Sequence, residues 1–198
     1  MAAESKLSYS YEAYLALEKE SEVKHEYHDG EIFAMAGGTL EHALIGMNVG
    51  RFLGSAIDRQ SRNCLVLSSD ARVKVEDLNR AFYPDVSVVC GDLVRSESDP
   101  NAVTNPILLV EVLSESTADY DRGKKFSFYR QLSSMREYLL ISSTGIYIDS
   151  YYRPGPQDPW EIQTYGRLSE QLKVKSLSLE LAISDIYRGL SNLSELED

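Results

Sequence analysis

Two acidic residues lie where apolar strands would not normally carry a charge. Asp85 precedes the apolar run of residues 86–90, and Glu111 lies near the end of the aliphatic run of residues 107–113. Such runs predict strands buried on both faces, where an ionised carboxylate is costly unless a cation compensates it. If the strands are neighbours, both acids can share Mg²⁺ or Mn²⁺, completed by the backbone carbonyl of Val112 and by water.

Both acids also have ordinary structural explanations. Asp85 follows Pro84 and can be a turn residue, and Glu111 can occupy a sheet edge or a structural ion pair. The metal hypothesis therefore depends on the two strands lying side by side and on a basic residue nearby.

A site that cleaves phosphodiesters also needs a cation to stabilise developing charge, and lysine serves as a compact point charge. Two residues after Glu111 the sequence has Leu113, so the lysine must come from elsewhere. From Glu111 to Ser114 the strand advances on the order of 10 Å. A helix that starts near Asp119 and folds back would return about 9 Å by Lys125. The pattern predicts that Lys125 lies level with Glu111.

Other charged residues can support such a site. Asp121, one helical turn before Lys125, can orient it through an ion pair, although such a pair is more commonly a solvated one on an exposed helix face. Lys124 points about 100° away on the same helix and is the second candidate lysine. Glu26 in an early strand can be a further acidic ligand or a solvated carboxylate. His42, in the first turn of a helix, can face a cleft or form a structural hydrogen bond.

Composition sets limits on the function. The chain has 198 residues, a hydrophobic content of 43% and a net charge of -11, which predict a globular domain and argue against broad electrostatic attachment to nucleic acid. The acidity is uneven, because the segment of residues 122–136 is rich in arginine and lysine. A local basic face for DNA therefore stays open.

Cys64 and Cys90 lie in apolar, strand-like surroundings and match no metal or disulfide spacing, which predicts buried thiols. No segment has enough consecutive apolar residues for a membrane span, and we expect a soluble, cytoplasmic protein with no membrane partner.

The order of elements favours an α/β (α+β) fold. Ser8 and Ser10 can cap an N-terminal helix, and Asp29-Gly30 predicts a hairpin after it. A long amphipathic helix follows over residues 40–59, then strands, including one over residues 82–90 and one over 107–113. Residues 91–105 are predicted to be a flexible loop. We expect one domain over residues 1–190 and a disordered tail over 191–198.

Several linked motifs in this order resemble the Uma2 family, also called DUF820, of restriction endonuclease-like proteins. The matching segments are Tyr83-Pro84-Asp85-Val86, Asn105-Pro106, Val110-Glu111-Val112-Leu113-Ser114, Ser116-Thr117, Asp121-Arg122-Gly123, Lys125-Phe126 and Tyr129-Arg130. Earlier segments around Tyr11, Glu26, Gly37-Gly38 and His42 fit the same pattern, so the resemblance covers nearly the whole chain.

The resemblance implies a PD-(D/E)xK nuclease fold, with a mixed central sheet of four or five strands flanked by helices. By position, Asp85 is the first acid, Glu111 is the (D/E) acid, and Lys125 is the lysine moved onto the next helix. It implies a magnesium-dependent endonuclease acting on DNA, with a homodimer as the symmetry expectation for cutting two strands. The alternatives are a catalytically silent nuclease-like interaction module and a small-molecule metallohydrolase, for which we expect a closed pocket.

Overall fold

The computed structural model describes residues 8–196, which form two mixed sheets, a two-stranded sheet and helices around them. In chain order the helices and strands are α1 (Tyr11–Glu20), β1 (His25–His28), β2 (Glu31–Ala34), α2 (Leu40–Arg59), β3 (Cys64–Ser68), β4 (Arg72–Val75), β5 (Arg80–Phe82), β6 (Val86–Cys90), β7 (Ala102–Val103), β8 (Leu108–Leu113), α3 (Ala118–Tyr120), α4 (Phe126–Tyr129), β9 (Glu137–Ser142), β10 (Ile148–Tyr152), β11 (Glu161–Tyr165), β12 (Gln171–Val174), β13 (Leu179–Ala182) and α5 (Ile183–Ile186). The predicted α+β class, N-terminal helix and hairpin are confirmed.

The central sheet has six strands in the order β11-β10-β9-β8-β6-β3. It therefore has more strands than the four or five implied by the resemblance. Strand β8 runs parallel to β9 and antiparallel to β6, and every residue of β8 is buried. Alternate side chains serve two cores, because Val110 and Val112 pack with α2 whereas Leu109 and Leu113 pack with α4 and the second sheet. The aliphatic run thus forms a strand covered on both faces, as predicted.

The second sheet has five strands in the order β2-β1-β5-β4-β7. A buried ion pair joins it to the segment predicted to be a flexible loop, since Arg72 Nε lies 2.6 Å from Asp99 Oδ2. The Tyr11 hydroxyl donates to the same carboxylate oxygen at 2.9 Å, and β7 pairs with β4. The loop prediction is wrong for this part, because Asp99 is held by partners that are far away in sequence.

Residues 82–90, predicted to form one strand, belong to two sheets. Strand β5 ends at Phe82 in the five-stranded sheet, and β6 begins at Val86 in the central sheet. Pro84 lies between them, where its missing N–H cannot continue a ladder. The crossing places Asp85 at the junction of the two sheets.

The predicted free thiols are instead a disulfide bond between Cys64 and Cys90. The two half-buried residues pair directly across β3 and β6. The register of these strands brings them together, and sequence spacing alone does not show it.

Reducing this bond is expected to lower the free energy of unfolding by about 2–4 kcal/mol, because a cross-link over a 26-residue separation restricts the unfolded chain. Urea unfolding with and without a reductant measures the change. The Cys64→Ser/Cys90→Ser double variant is the control and should not respond to reductant. Two thiols that titrate in the native, unreduced protein would contradict the bond.

Within the segment predicted to be a disordered tail, residues 191–198, the described residues make backbone hydrogen bonds. The backbone N–H of Ile146 donates to the Ser194 carbonyl at 2.8 Å, and the N–H of Leu196 donates to Gly166 at 3.1 Å. Residues 1–7 and 197–198 lie outside the described residues. Within residues 8–196 no helix has the length and apolar character needed to cross a bilayer.

Candidate active site

Asp85 is fixed between the end of β8 and the start of α2. The backbone N–H of Val112 donates to Asp85 Oδ2 at 2.7 Å, so the carboxylate is bound to the residue next to Glu111. His42 Nε2 lies 3.4 Å from the same oxygen. The side chain of Thr39 caps α2 by accepting the His42 N–H, which sets the position of His42 in the first turn. A role for Asp85 as a turn residue alone does not account for these contacts.

The chain after β8 reverses and returns over the sheet as one helical segment. It consists of α3, a π-helical turn over Asp121–Lys125, and α4. Lys125 Nζ lies 2.9 Å from Glu111 Oε1, so the predicted position of the lysine is confirmed. Asp121 Oδ1 lies 3.7 Å from the same ammonium. Lys124 is exposed on the outer side of the segment. π-Helical turns occur often at functional sites.

Glu26 reaches the same cluster from the five-stranded sheet. Its Oε1 lies 3.0 Å from Lys125 Nζ and forms a buried ion pair with it. Its Oε2 lies 3.3 Å from His28 Nε2, and the Tyr120 hydroxyl lies 3.3 Å from that nitrogen. Lys125 is therefore surrounded by carboxylates from three separate elements.

Sequence reasoning missed two members of this cluster. The Tyr129 hydroxyl donates to Glu111 Oε1 at 2.8 Å and is fully buried, although the sequence analysis assigned Tyr129 no role in the site. His28 follows Glu26 by two residues on β1. The spacing of these residues could have identified them. Tyr129 lies four residues after Lys125 on the helical segment, His28 lies two residues after Glu26 on a strand, and residues at these spacings share a face.

Burial dominates the electrostatics of the cluster. It raises the pKa of Glu111 well above its usual range despite the opposing Lys125 charge, and it also raises the pKa of Asp85 against His42. Burial alone would lower the pKa of Lys125, but Glu111, Glu26 and Asp121 outweigh it and hold that pKa well above its usual range. The Lys125 ammonium is therefore held in its charged form, whereas burial favours the neutral form of the Glu111 carboxyl group.

The donor set suits a hard cation. Among residues 8–196, no three His, Cys, Asp or Glu side chains are grouped closely enough to form a metal site by themselves. Mg²⁺ does not require such a cage, because it is commonly held by one or two carboxylates while it keeps several waters. The carboxylate oxygens of Asp85 and Glu111 are of the type that this requirement calls for, and Glu26 Oε1 lies on the other side of Lys125 Nζ at 3.0 Å.

A groove of about 820 Å³ lies beside α2, and Asp85 and His42 are among its lining residues. Its other walls are β3, the chain just after β2 and the chain just before β1. We call it the α2 groove. The first candidate acid is thus next to a space large enough for part of a polymer.

The fold and the cluster of two acids and a lysine define a nuclease-like α+β protein. Residues 11–184 match the model of the Uma2 family, described as "Putative restriction endonuclease". The chain belongs to this family. A relative from Synechocystis, "Uncharacterized protein slr1290", is 38% identical over 182 residues, which covers 92% of this chain and 93% of that one. A second Synechocystis protein, sll1609, is 36% identical over 143 residues and covers 72% and 79%, respectively.

A solved structure supports the fold. It is described as a putative nuclease belonging to DUF820 from Anabaena variabilis, and it superposes with a TM-score of 0.71. The alignment covers 89% of this chain and 96% of that one at 20% identity. At this identity the match shows the shared fold.

Proposed function

We propose that this protein is a metal-dependent endonuclease that hydrolyses phosphodiester bonds in DNA. The observation that carries the proposal is the contact of 2.9 Å between Lys125 and Glu111. Strand β8 and the π-helical turn that follows it place an acidic and a basic group together, and the N–H of Val112 on the same strand binds Asp85. Such a combination of acids and a lysine suits phosphoryl transfer, where positioning and charge stabilisation supply most of the catalysis.

Asp85 and Glu111 would hold Mg²⁺ or Mn²⁺, with the Val112 carbonyl and water completing the coordination. Bound there, the ion would activate water and stabilise charge on the phosphate. Lys125 would donate a hydrogen bond to a phosphate oxygen or to the attacking water. Asp121 and Glu26 would keep the ammonium charged and aligned.

The open groove favours a polymer as the substrate over a small molecule, for which a closed pocket was the expectation. The net charge of -11 instead favours the second candidate, a silent nuclease-like module that binds a partner without cleavage, since phosphate affinity depends largely on basic residues. We prefer the enzyme because the lysine and the carboxylates are close to Asp85, which lines the groove.

The test is cleavage of plasmid and single-stranded DNA in Mg²⁺ or Mn²⁺. We expect cleavage that chelation abolishes, with at least a hundredfold loss, about 3 kcal/mol of transition-state stabilisation, in Asp85→Asn and in Glu111→Gln. Both substitutions keep side-chain size and remove the charge that would hold the ion.

Glu180→Gln is the matched control, because Glu180 is exposed on β13 and its replacement should leave the rate unchanged. Circular dichroism and thermal unfolding confirm that each variant is folded. If folded wild-type protein cleaves neither plasmid nor single-stranded DNA with Mg²⁺ or Mn²⁺, the enzyme proposal is wrong and the catalytically silent module is the remaining candidate.

A further inference from the structure

Two donors converge on one oxygen of the Glu111 carboxylate. The Tyr129 hydroxyl donates to Oε1 at 2.8 Å, and Lys125 Nζ lies 2.9 Å from the same oxygen. An ionised carboxylate offers about two acceptor positions on each oxygen, so these contacts use the capacity of Oε1. Within residues 8–196 both contacts fall on Oε1, and Oε2 has no hydrogen-bond partner. The carboxylate is thus held by one oxygen, and the other is left for a ligand.

The hydroxyl of Tyr129 has little freedom of position. Its ring makes edge contacts with the rings of Phe82 and Tyr138, with centroid distances of 5.1 and 5.6 Å. The side chain is fully buried in the core that α4 shares with both large sheets. The ring cannot rotate away without opening this close-packed core. The hydroxyl is therefore a fixed point that sets the orientation of the Glu111 carboxyl group.

Packing alone does not require this hydroxyl. A phenylalanine would fill nearly the same volume, and a buried hydroxyl costs free energy unless it has a hydrogen-bond partner. Glu111 is the partner that the structure supplies. The hydroxyl is also a neutral donor, whereas the Lys125 ammonium at the same oxygen would repel a bound cation. Tyr129 can therefore hold Glu111 in place without opposing metal binding.

The second candidate ligand is also held by one oxygen. Asp85 Oδ2 accepts the N–H of Val112 at 2.7 Å. The antiparallel ladder of β6 with β8 pairs Val86 with Val110, and one residue beyond this pair the register sets Asp85 opposite Glu111. Each acid therefore has one oxygen fixed by a protein donor. Because Mg²⁺ demands near-ideal octahedral geometry, the groups that fix these carboxylates decide how well the pair fits the ion.

We propose that Tyr129 is a positioning residue whose hydroxyl holds Glu111 by Oε1 and leaves Oε2 for the divalent cation shared with Asp85. This deepens the proposed function and rests on it for the presence of the ion. Partners that orient a metal ligand typically contribute about tenfold to a hundredfold in metal affinity or activity. Since Ca²⁺ tolerates irregular coordination and Mg²⁺ does not, loss of this contact should weaken Mg²⁺ binding more than Ca²⁺ binding.

Tyr129→Phe tests the inference, because it keeps the ring and removes the donor. Isothermal titration calorimetry with Mg²⁺ and with Ca²⁺ measures the affinities without requiring turnover. We expect Mg²⁺ to bind Tyr129→Phe about tenfold to a hundredfold more weakly than the wild type, with a smaller loss for Ca²⁺. In the cleavage assay kcat should fall while the KM for DNA is unchanged, because Tyr129 is buried and does not contact the substrate.

Tyr187→Phe is the matched control. Tyr187 is also buried, and its hydroxyl lies 3.1 Å from the Ser142 carbonyl oxygen and 3.0 Å from that of Tyr147. It should lower the urea midpoint as Tyr129→Phe does, yet leave Mg²⁺ affinity unchanged. Adding Tyr129→Phe to Glu111→Gln should cause no further loss of Mg²⁺ affinity, because Tyr129 acts through Glu111.

Wild-type Mg²⁺ affinity in Tyr129→Phe, equal losses in Tyr129→Phe and Tyr187→Phe, or a further loss in the Glu111→Gln background would overturn the inference. Magnesium-dependent cleavage at the wild-type kcat in Tyr129→Phe would reject the positioning role and keep the nuclease. A selective loss of Mg²⁺ affinity in Tyr129→Phe would support the role even if neither DNA is cleaved. Folded wild-type protein that binds no divalent cation would overturn both proposals.

Discussion

Replacing Lys125 with methionine is expected to lower the free energy of unfolding at neutral pH by about 3–5 kcal/mol, the usual cost of removing one partner from a buried ion pair. The side chain of Lys125 is 6% exposed and lies within 4 Å of carboxylate oxygens from Glu26, Glu111 and Asp121. Methionine keeps most of the side-chain volume, so the loss reports the charge and not a cavity. Urea unfolding monitored by circular dichroism measures it.

Lys124→Met is the matched control for this prediction. Lys124 is exposed, and its replacement should change stability by no more than about 0.5 kcal/mol. The same pair of variants decides which lysine acts in cleavage, because only Lys125→Met should abolish it. Adding Glu111→Gln to Lys125→Met should recover part of the stability, since it removes a buried charge that has lost its partner. Equal stability of the two lysine variants would refute the buried-cluster description.

The loss of stability in Lys125→Met should also depend on pH. The titration of the buried carboxyl groups sets the direction of this dependence. Burial raises the pKa of Glu111 and of Asp121 above their usual values. A carboxyl group with a raised folded-state pKa binds protons more tightly when folded, so folding gains stability as pH falls through that pKa. Without Lys125 these pKa values rise further. The deficit of Lys125→Met should therefore be smaller at mildly acidic pH than at pH 8.

The central part of the site could be predicted from local sequence. The aliphatic run around Glu111 identifies a strand buried on both faces, and simple geometry of strand and helix brings Lys125 back beside it. Both arguments use contacts between neighbouring elements in the chain. The structure agrees in placing Lys125 Nζ 2.9 Å from Glu111 Oε1.

The remaining features depend on pairings that local patterns do not specify. The apolar pattern continues from Phe82 to Cys90, yet the chain changes sheets within it. The Cys64–Cys90 bond requires the register of β3 against β6. The ordered Asp99 requires Arg72 and Tyr11 from distant positions. In each case the partner across space decides the outcome, and an isolated segment does not identify that partner.

Lys125 and a divalent cation would compete for the Glu111 carboxylate. Replacing Lys125 should therefore have a large effect on metal affinity. The Lys125 ammonium is 2.9 Å from Glu111 Oε1. A bound ion would use the same carboxylate as a ligand. A unit charge and a divalent ion about 5 Å apart repel by about 6–7 kcal/mol at an effective dielectric constant of about 20. Solvent and rearrangement reduce this value, but a large part should remain within a buried cluster.

We therefore expect Lys125→Met to bind Mn²⁺ about tenfold to a hundredfold more tightly than the wild type, although it cleaves nothing. Asp85→Asn should bind Mn²⁺ more weakly. Isothermal titration calorimetry measures the affinities without requiring turnover, and Lys124→Met again serves as the control. Since a ligand stabilises the folded state by RT ln(1 + [L]/Kd), Mn²⁺ should also restore more stability to Lys125→Met than to the wild type. Unchanged or weaker Mn²⁺ affinity in Lys125→Met would show that the lysine and the ion do not share Glu111.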